Sequence, residues 1–241
     1  DIIKPDITAP GVNVLAAGTP ETFTKPKGNN FTYMSGTSMA SPHIAGMAAL
    51  LKQQHPDWTP AMIKSALMTS AGQNVTKASS AVPAGIFDFG SGHAQPVLAA
   101  TPGLVYDTTA NDYFAFLCGI GKTAFVEDQS GYSCATFTEA GYATESAQLN
   151  QPAIGVGSLV GSRTVVREVT NVSGVASVYT PDIQAPAGVA VTFKTLNSDE
   201  QLVAANSLEV PAEGKAVYAL TLTSKADANF GAWSFGSMTL S

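Results

Sequence analysis

An α/β segment followed by an all-β sandwich is the fold class this sequence predicts, and three observations predict it. From Lys4 to Gly72 the chain reads strand, loop, strand, small-residue helix, second helix, which is α/β order. From Gln151 the pattern changes to short β-branched runs between turn residues, evenly spaced over about ninety residues, as in a β-sandwich. Hydrophobic residues make up 45% of the 241 and charged residues 12%, so both parts can bury a core.

Each element has a local cause. Lys4 to Ala17 is β-branched and apolar, broken by Pro10-Gly11, which predicts a strand, a turn and a second strand through Val12, Val14 and Leu15. A polar loop runs to Asn30, and Phe31 to Met34 forms the next strand. From Ser38 to Gln54 the interior is packed with Ala40, Ala45, Gly46, Ala48 and Ala49, a surface small and apolar all round, which predicts a buried helix. Gly46 costs about 1 kcal/mol there relative to alanine, which points to close approach of a neighbour. Thr59 as N-cap and Pro60 at the first position start a second helix, with Ile63, Ala66, Leu67 and Ser70 on one face and Gly72 placed to stop it.

Further on, Phe87 to Gly92 reads as a tight turn on an aromatic strand, Pro96 to Ala100 as a helical turn and Asn111 to Leu117 as a short helix. Thr123 to Ser146 reads mostly as loop. The sandwich strands are expected at Arg163 to Val169, Ala176 to Thr180, Val189 to Phe193, Lys215 to Leu222 and Trp233 to Leu240, with the boundary near Leu149.

Composition narrows the function classes. The net charge is −6 with no Lys/Arg cluster, which argues against a nucleic-acid ligand. No apolar run reaches the roughly 18 residues of a membrane span. Cys118 and Cys134 are the two cysteines; they fit either two buried thiols or one disulfide closing a short loop. The opening Asp1-Ile2-Ile3-Lys4-Pro5-Asp6 carries no visible leader pattern and reads as the middle of something, which fits either a mature secreted enzyme or a cut fragment.

Ser38 carries the chemistry. A serine just after a strand, beside glycine and opening a helix, lies near unpaired backbone N–H groups and a positive dipole end suited to an oxyanion. The same position also fits an ordinary helix N-cap. The longer string Gly36-Thr37-Ser38-Met39-Ala40-Ser41-Pro42-His43-Ile44-Ala45-Gly46 resembles the nucleophile motif of the subtilisin-like serine proteases. Lys4-Pro5-Asp6-Ile7-Thr8-Ala9-Pro10-Gly11 resembles the family's preceding strand, and His55 to Thr59 with Ile63 to Leu67 resemble its following helix. Phe87 to His93, Pro102 to Asp107 and Asp112 to Gly119 resemble the cucumisin-type branch, which carries a protease-associated insertion upstream and a fibronectin-III-like domain at its end. Gln151 to Ile154 and Arg163 to Val172 resemble the opening of that last domain.

The resemblance implies residues 1–118 as the C-terminal segment of a parallel-sheet catalytic domain, 119–149 as a connecting segment and 150–241 as the fibronectin-III-like sandwich. It implies a secreted endopeptidase acting on protein or peptide substrates through an acyl-enzyme on Ser38, with no cofactor and no metal. The residues before Ser38 include Asp1 and Asp6 but no histidine, so the triad aspartate and histidine, and the oxyanion asparagine, belong to an N-terminal part not in this chain. The chain is therefore expected to be a fragment, inactive alone. The alternatives are a non-catalytic binding or scaffold module, or one half of a nicked two-chain protease. His43, five positions along the helix, sits about 7.5 Å up the axis and on another face. His55 suits the helix end by charge, and nothing places His93 near Ser38.

Met39 either fills a core gap or lines the site; in the second case its oxidation hinders the enzyme. The resemblance also favours a Cys118–Cys134 disulfide. Asn30-Phe31-Thr32, Asn74-Val75-Thr76 and Asn171-Val172-Ser173 match the N-glycosylation pattern, which matters in a eukaryotic secretory host.

Overall fold

The computed structural model describes residues 2–21, 23, 27–28, 30–77, 81–229 and 231–241; Asp1 lies outside them. Strands β1 (Val14–Ala17) and β2 (Phe31–Met34) pair antiparallel, Val14 opposite Met34 and Ala17 opposite Phe31. Helices α1 (Thr37–Gln54) and α2 (Pro60–Thr69) follow, then two one-turn helices, α3 (Ile86–Phe89) and α4 (Pro96–Ala99). Strand β3 (Leu104–Val105) leads into α5 (Ala110–Gly119), α6 (Thr123–Ser130) and α7 (Cys134–Glu139). After a 3-10 turn at Ser146–Gln148 come β4 (Ser162–Asn171), β5 (Ser177–Tyr179), β6 (Pro181–Gln184) and β7 (Val189–Leu196). Strands β8 (Leu202–Ala204), β9 (Leu208–Val210), β10 (Lys215–Ser224) and β11 (Ser237–Leu240) complete the chain.

Among the described residues every strand pair is antiparallel; the parallel contact is a single bridge between Thr8 and His93. Around it, Thr8 N–H donates to Gly92 at 2.8 Å, Ala94 N–H to Thr8 at 2.9 Å, and His93 exchanges both backbone bonds with Gly72. Gly72 thus joins this ladder and does not stop α2, which ends at Thr69 with the Ser70 hydroxyl donating back to Ala66. The aromatic run at Phe87 is helix α3, not a strand. Gly90 ends it at φ 64°, where a Cβ would lie 2.0 Å from the Pro5 carbonyl oxygen.

Helix α2 is built as its caps predict. The Thr59 hydroxyl accepts from Met62 N–H at 3.1 Å and donates to the Asp107 carboxylate at 2.5 Å, so a distant carboxylate orients the N-cap. Ile63, Ala66 and Leu67 pack with Leu51, Trp58, Ala99 and Val105 in one core. Helix α1 departs from expectation. Among its residues Leu51 is buried, Ile44, Met47 and Ala48 pack partly against that core, and Ala45, Gly46, Ala49 and Leu50 are exposed. Nothing lies within 4 Å of a Cβ placed on Gly46. Small apolar residues permit close packing on every side; whether a neighbour covers them is not a local property.

The 123–146 segment contains two helices where a loop was expected. With α5 they bury Ala115, Val126 and Phe137, and Cys118 and Cys134 form a disulfide joining α5 to α7, Cα atoms 5.7 Å apart.

The sandwich opposes a five-stranded sheet, β3-β4-β10-β7-β8, to the pairs β11-β6 and β5-β9. Its core holds Leu104, Tyr106, Val169, Phe193, Leu208, Val210, Tyr218 and Leu220. Strand alternation places β3 between two cores: Leu104 and Tyr106 face the sandwich, while Val105 faces the helices. The buried guanidinium of Arg167 on β4 donates to the carbonyls of Gln151 at 2.9 Å and Val166 at 2.8 Å. Burial pulls its pKa down, and the nearby Tyr218 and Tyr106 hydroxyls push it back.

Candidate active site

Between β2 and α1 the chain turns at Ser35 and Gly36. Gly36, at φ 154° and ψ 170°, is the residue that caps α1, and its carbonyl accepts from Met39 N–H at 3.0 Å and Ala40 N–H at 3.3 Å. The N–H groups of Thr37 and Ser38 have no partner among the described residues, as expected for a helix start without a capping side chain. Ser38 is the second residue of α1, exposed, and its hydroxyl makes no hydrogen bond among the described residues. It is not the N-cap that its position also fits. Pro42 lies inside the same helix and removes the i+4 donor that the Ser38 carbonyl would otherwise meet. An accessible hydroxyl and a free backbone N–H therefore share the positive end of an 18-residue helix, where developing negative charge is stabilised.

The turn is held from one side by the loop before β1. Gly36 N–H donates to the Gly11 carbonyl at 2.7 Å, and Asn13 N–H donates to the Ser35 hydroxyl oxygen at 2.8 Å. A Cβ on Gly11 would sit 2.8 Å from the Gly36 carbonyl oxygen and 3.2 Å from Ala40 Cβ, so the loop lies directly against the helix start.

No histidine side chain bonds Ser38 among the described residues. His43 Nδ1–H donates to the Met39 carbonyl at 2.8 Å, folding the ring back along its own helix. His55 caps the C-terminus of α1 and stacks on Trp58 with ring centroids 3.9 Å apart; its Nε2–H donates to the Ala100 carbonyl at 2.9 Å. His93 joins the ladder with Thr8 and Gly72 through its backbone and is exposed. Asp6 pairs with Lys4 at 2.6 Å and Lys64 at 3.0 Å. Burial would raise its carboxyl pKa, but hydrogen bonds and charge from both lysines hold it below the ordinary 3.8.

Among the described residues no group of three or more His, Cys, Asp or Glu could hold a metal ion, and no helix is long and apolar enough to cross a membrane. Met39 is half-buried immediately after Ser38. Of the sequon asparagines, Asn30 and Asn74 are exposed. Asn171 is 1% exposed, donates to the Val175 carbonyl at 2.9 Å and accepts from Ser173 N–H and Oγ.

Sequence reasoning passed over Gly11, Asn13 and Ser35 as supports of the nucleophile turn, and Asp107 as the group behind the α2 cap. The available signal was spacing. Asn13 and Ser35 are the next residues inward from the paired ends of β1 and β2, but that pairing is a tertiary fact.

A Subtilase family model matches residues 1–121 and a Fibronectin type-III domain model matches residues 148–241. Among Arabidopsis thaliana proteins, subtilisin-like protease SBT1.6 is 42% identical over 214 residues, covering 80% of this chain and 27% of its own length. SBT5.3 is 45% identical over 209 residues, with 80% and 26% covered, and SBT2.6 is 37% identical over 258 residues, with 100% and 29% covered. The chain thus spans about a quarter of the length of the curated relatives it matches. Residues 1–121, carrying the Ser38 turn and helix, and the antiparallel sandwich behind them show that this chain belongs to the subtilase family, as its C-terminal region followed by a fibronectin type-III-like domain.

Proposed function

We propose that the full-length polypeptide is a secreted serine endopeptidase and that Ser38 is its nucleophile. The observation that carries this reading is the exposed Ser38 hydroxyl in the first turn of α1, beside its own N–H, which has no partner among the described residues. Ser38 Oγ attacks the scissile carbonyl carbon, the proton passes to a histidine, and the oxyanion is met by the Ser38 N–H. The amine leaves with that proton, and water hydrolyses the acyl-enzyme. The histidine, the aspartate behind it and an oxyanion asparagine are assigned to residues outside these 241, because none of His43, His55 and His93 bonds the Ser38 hydroxyl among the described residues. In this reading residues 1–118 belong to the catalytic domain, 119–149 connect and 150–241 form the sandwich. The Cys118–Cys134 disulfide supports an oxidising compartment.

The exposed apolar surface of β1, β2 and α1 favours association with the rest of the protease, whether as one chain or as a nicked pair. The test is a serine-directed fluorophosphonate. It is expected to label Ser38 in the full-length protein, located by peptide mass, and to react at least about a hundredfold more slowly with the 241-residue chain alone, which lacks a general base. Comparable labelling of the isolated chain would overturn the assignment of the missing groups, and a label on another serine would overturn Ser38 itself.

A further inference from the structure

The β1–β2 ladder pairs Val14 with Met34, so the next residues inward are Asn13 and Ser35. Gly18 N–H donates to the Asn30 carbonyl at 2.8 Å, and bonded pairs alternate along an antiparallel ladder, so a regular continuation would leave positions 13 and 35 a pair without backbone hydrogen bonds between them. Instead Asn13 takes the left-handed conformation, φ 52°, and its N–H donates to the Ser35 side-chain oxygen at 2.8 Å. The Ser35 hydroxyl thus takes an N–H that no backbone group of β2 would meet at this position, and the ladder ends there as the chain turns into Gly36. One residue later Gly36 N–H is taken by the Gly11 carbonyl at 2.7 Å. Two consecutive residues of the turn are therefore tied to one three-residue loop, and the close approach of Gly11 to Gly36 and Ala40 leaves that loop little room to move inward. Asn13 and Ser35 are both exposed, so core packing does not explain them. Asparagine is among the few side chains that adopt positive φ readily, which suits position 13.

We infer that Ser35 and Asn13 are positioning residues for Ser38: their hydrogen bond ends the β1–β2 ladder at the point that fixes where α1 begins, and with it the place of the nucleophilic hydroxyl. The inference rests on the reading of Ser38 given above. Three peptide units separate Ser35 from Ser38, so a shift of the turn reaches the hydroxyl with little damping. Displacement of a reacting group by about 1 Å can cost on the order of a hundredfold in rate.

The experiment uses the full-length protein with Ser35→Ala, Ser35→Thr, Asn13→Gly and Asn13→Val. Fluorophosphonate labelling of Ser38, peptide hydrolysis and melting temperature are measured on each. Ser35→Ala and Asn13→Val are expected to slow labelling roughly tenfold, with the loss in kcat and not in KM. Ser35→Thr keeps the oxygen and Asn13→Gly keeps the positive φ, so both are expected within about threefold of the parent. Melting temperatures are expected to stay within about 3 °C. Parent-like labelling of Ser35→Ala, a threonine variant as slow as the alanine one, or a rate loss that simply follows melting temperature would each overturn the inference. An unsubstituted protein not labelled at Ser38 would overturn the nucleophile assignment first, and this inference with it.

Discussion

Asp6 lies between two ammonium groups, and its charge has consequences for stability in acid. Its folded pKa is depressed: burial acts upward, and the hydrogen bonds and charges of Lys4 and Lys64 more than offset it. A carboxyl of this kind adds stability that is fully present above its unfolded pKa and is lost as pH falls through the lower, folded value. The melting temperature of the full-length protein is expected to drop between pH 6 and about pH 3, and less steeply in Asp6→Asn. Equal slopes for the two proteins would show that the pairs contribute nothing, as exposed ion pairs often do. In the sequence Asp6 could be read as an acid without a triad role, but its lysine partner at position 64 could not, because 58 positions separate them. Asn171 makes the same point in reverse. Its sequon is plain in the sequence, yet the side chain is buried and fully engaged, so peptide mass analysis after expression in a eukaryotic secretory host is expected to find it without a glycan.

At the scale of elements, the edge of β4 beyond its two-residue pairing with β3 is closed by side chains. Gln148 Nε2 donates to the Thr164 carbonyl and its Oε1 accepts from Val166 N–H, both at 2.9 Å. Asn150 does the same with the carbonyl and N–H of Glu168, both at 3.0 Å. Two amides spaced two residues apart thus imitate a neighbouring strand over alternate residues of β4, and the Thr108 hydroxyl fixes them by donating to the Asn150 carbonyl. Asn150→Ala is expected to cost about 1–3 kcal/mol by leaving two backbone groups of Glu168 unpaired, measurable by urea denaturation. A midpoint equal to the parent's would mean that water serves the edge equally well. Helix α2 was legible because Thr59-Pro60 is a local start signal. Helices α6 and α7 were not, being short and buried at a single position each, Val126 and Phe137. Strand β3, two residues long, has no periodicity to read.

Taken whole, the molecule is welded along β3, whose neighbouring side chains enter two different cores, and is touched again where Phe87 of α3 meets Trp233 and Phe235 of the sandwich, ring centroids 5.4 and 5.3 Å away. On the other side, Val12, Phe31, Tyr33 and Leu50 stand 64–72% exposed. Large apolar side chains left this exposed favour association where they meet a complementary surface. The 241-residue chain expressed alone is therefore expected to self-associate, and light scattering behind a sizing column measures it. A monodisperse monomer that melts cooperatively would show that water tolerates this face.

The sequence by itself determined the two-part fold class, the Ser38 motif string, the α2 cap and most sandwich strands, because each depends on residues within a few positions of one another. Tertiary structure decided which faces of α1 are covered, that Cys118 and Cys134 are joined, that β3 belongs to the sandwich sheet, and that Gly11 and Asn13 hold the turn before Ser38. Those are contacts between distant parts of the chain, and their energies depend on which surfaces meet, a quantity no local pattern of residues contains.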